Sequence, residues 1–269
     1  MKLTFAHYTR LPYLLVLTSF NLYADGLADL KSALLKLNDN SILSAVVESS
    51  YTEKRGKRKK QKTKTGLIQV QLNENHHGLQ LIYNNETLAK LESEASNKEK
   101  NEDAKTPTLN AVNGVGVTEM RNMLSAAPDL LRSLQKATFV DEKQVLHNDK
   151  TVRQLNFTLP LEAIIENKEV HEYVDEFKGE YQILIDENAI PIKSTTTFTG
   201  SGSAYIFFSM DITQSNQSTF KLIDNRLVNI KKTYQSKRSS TWGDTESQGY
   251  KVLIIQPETA VLAALNTKQ

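Results

Sequence analysis

Two spacings in this 269-residue chain could support covalent chemistry if their context allowed it. Ser133 with Lys136, and Ser218 with Lys221, both fit a Ser-x-x-Lys pattern, in which the lysine would help a serine hydroxyl act as a nucleophile. Lys64-Thr65-Gly66 fits the Lys-Thr-Gly element that completes such sites. The order is wrong, however. Lys-Thr-Gly must follow the serine and here precedes both, and no Ser-Asp-Asn lies anywhere between. Nor is there a Gly-x-Ser-x-Gly elbow, a phosphate-cradling glycine loop or a dinucleotide fingerprint. Gly200-Ser201-Gly202-Ser203 reads as a loop between strands.

Metal and acid–base chemistry fare no better. There is no cysteine, which removes disulfides, thiolate ligands and redox dithiols. His76 and His77 are adjacent, so on a strand they point to opposite faces and cannot share an ion. His7, His147 and His171 stand apart from one another, and no His-Glu-x-x-His occurs. Glu162 with Glu166, and Asp175 with Glu176, have no apolar surroundings to raise a pKa and read as surface charges. The expectation is a chain with no catalytic residues, no metal and no cofactor.

Charge is the strongest local signal. Lys54, Arg55, Lys57, Arg58, Lys59, Lys60, Lys62 and Lys64 place eight cations in eleven residues. Such a cluster could contact an anionic membrane surface, lipopolysaccharide phosphates or an acidic envelope protein, with on the order of 1 kcal/mol per cation at an anionic bilayer. The competing reading is a solvated hairpin tip whose lysines deter edge-to-edge pairing.

The N-terminus reads as a cleavable secretion signal. Lys2 and Arg10 precede the apolar run 11–20, and Ala24 suits the cleavage site. Removing 1–24 takes two cations and no acids from the 33 Lys and Arg, which leaves the mature chain with 31 charges of each sign. A basic excess over the domain, the mark of a nucleic-acid binder, is therefore missing. The expected location is periplasmic or secreted.

The elements follow from periodicity. Leu27, Leu30, Leu34 and Leu37 repeat at helical spacing and predict a helix over 27–37. Leu43 to Tyr51 and Ile68 to Leu72 alternate, predicting a long hairpin with the basic residues 54–64 at its tip, followed by a strand near 79–83. Residues 92–106 carry acids and lysines with almost nothing apolar, and predict a mobile loop. Met120, Met123, Leu124 and Ala127 restore helical spacing. Pro128 breaks it, and Leu130, Leu131 and Leu134 resume it, so Pro128 is expected to open a second helix. Strands are expected at 138–146, 152–159, 179–186, 190–199, 204–213, 217–223, 227–234 and 250–256. Trp242 falls in a polar loop, 236–249. In 204–212, Ala204, Ile206, Phe208, Met210 and Ile212 share one face and Tyr205 and Phe207 the other, which predicts burial on both sides.

Short strands at roughly ten-residue spacing with few helices exclude a parallel α/β fold. The fold class predicted is mainly β (α+β): one domain over 25–269, a curved antiparallel sheet or open barrel, with the N-terminal helix and the helical insertion 118–136 covering its concave face. A half-closed sheet of this size leaves an interior for an apolar ligand. Met120, Met123, Leu124, Leu131, Phe208 and Met210 are the candidate ligand-binding residues, methionine because it adapts to variable shapes. The alternative is that these side chains fill the core.

The stretch from Lys178 through Gly179, Tyr181, Ile183, Ile185 and Asp186-Glu187-Asn188 to Pro191 and Ile192 resembles the strand–turn–strand segment of periplasmic open-barrel proteins. These are the lipoprotein carriers of the LolA and LolB type and the related RseB-type sigma regulators. Phe220 to Leu227 is similar as well. The resemblance implies a half barrel with an apolar cavity, a lipid or lipoprotein partner and no enzymatic activity. The basic tip and the acidic stretch depart from the pattern, and no ligand residue of those families maps onto a position here.

Overall fold

Alternation of apolar and polar residues prevails after residue 42, and the strands it specifies pair into one antiparallel sheet. The computed structural model describes residues 25–37, 41–57, 61–204 and 208–256. Its strands are β1 (Leu43–Arg55), β2 (Lys62–Asn75), β3 (Gly78–Ile82), β4 (Thr138–His147), β5 (Lys150–Leu159), β6 (Val174–Ile185), β7 (Pro191–Ala204), β8 (Phe208–Ile223), β9 (Arg226–Ser240) and β10 (Gly243–Gln256). Across the sheet they run β3-β2-β1-β10-β9-β8-β7-β6-β5-β4. The N-terminal hairpin therefore closes onto the last strand, and β3 and β4 remain as edges of a sheet that does not shut into a barrel. The mainly β, open antiparallel architecture is as the periodicity implies.

Helices α1 (Gly26–Lys36), α2 (Asn85–Lys100), α3 (Pro107–Val112), α4 (Val117–Leu124) and α5 (Ala127–Lys136) precede β4, and two short turns, α6 (Leu161–Ile164) and α7 (Lys168–His171), join β5 to β6. Asp25 caps α1 by accepting from the N–H groups of Leu27 and Ala28. This satisfies donors that no helical carbonyl can reach. Farther along, Arg153 pairs with Asp29 at 2.8 Å, and Asn225 donates to the Lys36 carbonyl at 2.8 Å. Pro128 takes the second position of α5, one residue inside the expected first.

The helices cover one face of the sheet and make two cores. Leu30, Leu34 and Leu37 of α1 and Leu130 and Leu134 of α5 pack on Leu155, Phe157, Tyr181 and Ile183. Met120, Met123 and Leu124 of α4 pack with Val47, Ile68, Val70, Leu72 and Leu253. Leu227 and Val228 are consecutive and both fully buried, one in each core. They lie near a bulge where β8–β9 pairing shifts between Thr219 and Phe220. With its amide oriented to suit its neighbours, Asn229 donates to the carbonyls of Lys231 and Thr219 and accepts from Ser218. The polar groups freed by the bulge are thereby satisfied.

Several expectations are corrected. Residues 92–100 are not loop: α2 runs to Lys100, capped by Asn84, braced by Glu86 on Lys90, and tied down where Glu94 accepts from the N–H groups of Thr108 and Leu109. Gly200-Ser201-Gly202-Ser203 is the end of β7, and 208–223 is one strand rather than two. The single strand expected over 204–212 is instead a hairpin end, with Ala204 opposite Phe208. Phe208, Met210 and Ile212 are half-buried there, and Tyr205, Ile206 and Phe207 lie outside the described residues. The polar stretch 236–249 is strand on both sides of a turn at Thr241 and Trp242. The secretion signal expected over 1–24 also lies outside the described residues.

Candidate apolar ligand site

Cross-strand partners share a face, and so do residues two apart on a strand. Leu155, Ile183, Ser194, Ser218, Lys232, Lys251, Ser49 and Ile68 are successive partners, and this row faces the helices. The next row along the strands includes Tyr234, Gly249, Tyr51 and Gly66. A Cβ on Gly66 would collide with the Tyr51 ring, and one on Gly249 with the Tyr234 ring. Each tyrosine ring thus covers the neighbouring glycine. Beyond this row β7, β8, β9 and β10 contribute no inner-face residue to either core.

One ionic latch holds the helical cover. Glu119 on α4 accepts from Lys232 at 3.1 Å and from Lys251 at 2.9 Å. Burial alone would raise its carboxyl pKa, but the charge of Lys232, the hydrogen bond from Lys251 and the further lysine contacts outweigh it, so the value is lowered. A second tie is the Ala126 N–H on the Leu227 carbonyl. Because the folded value is depressed, the latch stabilises the fold above the ordinary glutamate value of 4.5 and weakens as pH falls through the folded value. Glu119→Gln is expected to lose about 1–2 kcal/mol at neutral pH. Urea titrations of both proteins at pH 7 and near pH 3 check this. The gap must shrink in acid, and a gap of equal size at both pH values would refute the latch.

The shifted carboxyl, tyrosyl and lysyl groups all titrate away from neutrality. Glu48, Glu86, Glu119 and Asp141 are lowered; Tyr51, Tyr181, Tyr234, Tyr250 and Lys178 are raised. Burial drives the rise of Tyr181, partly offset by a hydrogen bond with Ser194. Among the described residues no three His, Asp or Glu side chains gather as a metal site.

At the β6–β8 end of the inner face lies an apolar recess of about 190 Å³. Phe177 of β6, Phe198 of β7, and Met210 and Ile212 of β8 wall it, and Ile165, Val170 and Tyr173 of the β5–β6 connection roof it. The recess exists because the sequence places Gly200 and Gly202 where inward side chains would stand. A Cβ on Gly202 would come within 2.4 Å of the Tyr173 carbonyl, so only glycine admits the roof this close. The Ser203 N–H donates to that same carbonyl at 3.0 Å, and the Ser203 hydroxyl to Asp175 at 2.8 Å. His171 Nε2 meets the Ile165 carbonyl at 2.7 Å and stiffens the connection. At the mouth, Trp242 is 83% exposed and packs on Phe208 with ring centroids 4.8 Å apart.

The sequence-predicted ligand residues divide. Phe208 and Met210 line the recess. Met120, Met123 and Leu124 are fully buried in the α4 core, and Leu131 packs half-buried on the α1–α5 core. The structure does not bring the two groups together. Within the basic tip, Arg55 lies 3.7 Å from Glu53, Lys57 donates to the Thr241 carbonyl at 3.5 Å, and Lys62 pairs with Asp103 at 3.2 Å. Lys64 stands opposite Glu53, and Lys54 opposite Glu246. Arg58, Lys59 and Lys60 lie outside the described residues. Acids of the same chain therefore offset part of the cluster, including Asp103 from the stretch expected as a loop. Sequence reasoning missed Phe177, Phe198, Gly200 and Gly202. Their signal was the apolar 177 and 198 beside small residues, visible only once the register is known.

No protein-family model matches this chain, and neither does any curated protein or solved structure. No helix among the described residues is long and apolar enough to cross a membrane.

Proposed function

We propose that the chain is an exported, non-enzymatic binding protein for a lipid, an acyl chain or a lipid-modified protein, and that its ligand site is the recess between β6, β7 and β8. The observation that carries this reading is the recess itself: open, apolar on nearly every side, and floored by two glycines. Burial of methylene groups, at about 0.8 kcal/mol each, supplies the driving force. A volume of about 190 Å³ is below the roughly 300–1,000 Å³ of pockets that enclose a whole small molecule, so one chain end enters and the remainder lies on the sheet. Met120 and Met123 are fully buried, and entry past them would require breaking the Glu119 latch. Binding at the recess needs no such motion. The basic tip, 54–64, then serves as an electrostatic contact with an anionic surface.

Mass spectrometry of small molecules extracted from the natively purified protein, with titration of a fluorescent fatty acid, tests the reading. Co-purified lipid or saturable binding is expected. A protein that carries no lipid and binds no fatty acid ends it.

A second reading, an envelope subunit that binds through a strand edge, draws on β4. This edge strand exposes Phe139, Val140 and Leu146, the last at 73%. An unpaired edge is a template for another strand. Recovery of one envelope partner, lost in Val140→Lys, would favour it.

A further inference from the structure

We infer that the ligand of the recess is a single-chain amphiphile with an anionic head, and that Arg238 receives the head; this rests on the recess being the ligand site. From Phe177 onward the register across this part of the sheet is regular. Phe177 stands opposite Gly200, Gly200 opposite Ile212, Ile212 opposite Arg238, Arg238 opposite Thr245, Thr245 opposite Arg55, and Arg55 opposite Lys62. A single line on the inner face therefore changes from apolar to cationic between β8 and β9.

Arg238 is the cation on this line with the weakest commitments. Arg55 has Glu53 and Lys62 has Asp103. Among the described residues no carboxylate pairs with Arg238, and its side chain makes one long hydrogen bond, Nη2 to Thr245 Oγ1 at 3.4 Å. The acids nearest in sequence on β10, Asp244 and Glu246, flank Thr245 and so point to the opposite face. There Ser239 bonds Asp244 and Lys237 meets Glu246. Leaning over Thr245, the guanidinium lies one to two strand spacings from Ile212, about 5–10 Å. Its planar fork suits a carboxylate or a phosphate. The recess admits one chain, which excludes the paired tails of a diacyl lipid from entering together.

The experiment uses the full mature chain and three monomeric amphiphiles of equal chain length: a fatty acid, a lysophosphatidic acid and an uncharged monoacylglycerol. Wild type is expected to bind both anions about tenfold more tightly than the neutral probe. Arg238→Gln should bring the anions to the neutral probe's affinity and leave the latter unchanged. Tighter binding of the phosphate probe points to a phospholipid source, and tighter binding of the carboxylate to free fatty acids. Equal binding of all three to wild type overturns the anion assignment but not the recess. An anion preference that survives in Arg238→Gln overturns the role of Arg238. Failure of every probe to bind overturns the recess reading itself.

Discussion

Arg226→Met is expected to be the most destabilising single substitution on the sheet, at about 3–5 kcal/mol. Arg226 opens β9 and is only 2% exposed. It forms an ion pair with Glu74 near the end of β2 and donates to the Ser41 carbonyl at 2.7 Å. A hydrophobic replacement of similar length keeps most of the packing but leaves Glu74, a half-buried carboxylate, facing a thioether. Removing one partner of a buried pair strands the other charge, and that desolvation, rather than the attraction lost, sets the cost. Thermal unfolding should fall by roughly 10 °C, given a few degrees per kcal/mol in a domain of this size. Arg226→Met with Glu74→Leu should recover much of the loss, because both charges then disappear together. A single variant within 1 kcal/mol of wild type in urea would show that the pair is effectively solvated.

That pair also marks where the sequence stops being legible. Leu27, Leu30, Leu34 and Leu37 announce α1 because a helix that packs on a sheet needs one apolar stripe. The β1–β2 hairpin is equally plain, since each strand buries one face. α2 has no such stripe. Its stability comes from the Asn84 cap and from Glu94 holding the start of α3, and tertiary contacts of that kind leave no period in the sequence. The strand segments 200–203 and 236–249 are hidden for a related reason. Their inner faces lie outside both cores, so glycine, serine and threonine replace the expected alternation, and composition alone reads them as loops. The recess is built where that misreading occurs. Met120 and Met123 have the right chemistry for a flexible lid, yet their helix is latched through Glu119, and the opening lies instead above two glycines.

Gly200→Leu is therefore expected to abolish ligand binding while leaving the protein at least as stable. Gly200 stands near the end of β7 on the floor of the recess, opposite Ile212. A Cβ added there meets the Glu176 carbonyl at 3.4 Å, Ile212 Cγ2 at 3.6 Å and Phe177 Cδ2 at 3.7 Å, all ordinary contacts. The backbone can accept the side chain, and the isobutyl group then occupies the space meant for ligand. Loss of three or four methylenes from the recess, at about 0.8 kcal/mol each, weakens fatty-acid binding on the order of 100-fold. Stability should hold or rise by about 0.5–1 kcal/mol, because glycine inside a strand carries the larger entropic cost of ordering. Fluorescent fatty-acid titration and urea unfolding of the same preparation read the two effects, and their opposite signs make the result decisive. A protein whose interior is simply filled predicts no change in partner binding, whereas undiminished fatty-acid binding by a stable Gly200→Leu would move the ligand away from β6–β8 altogether.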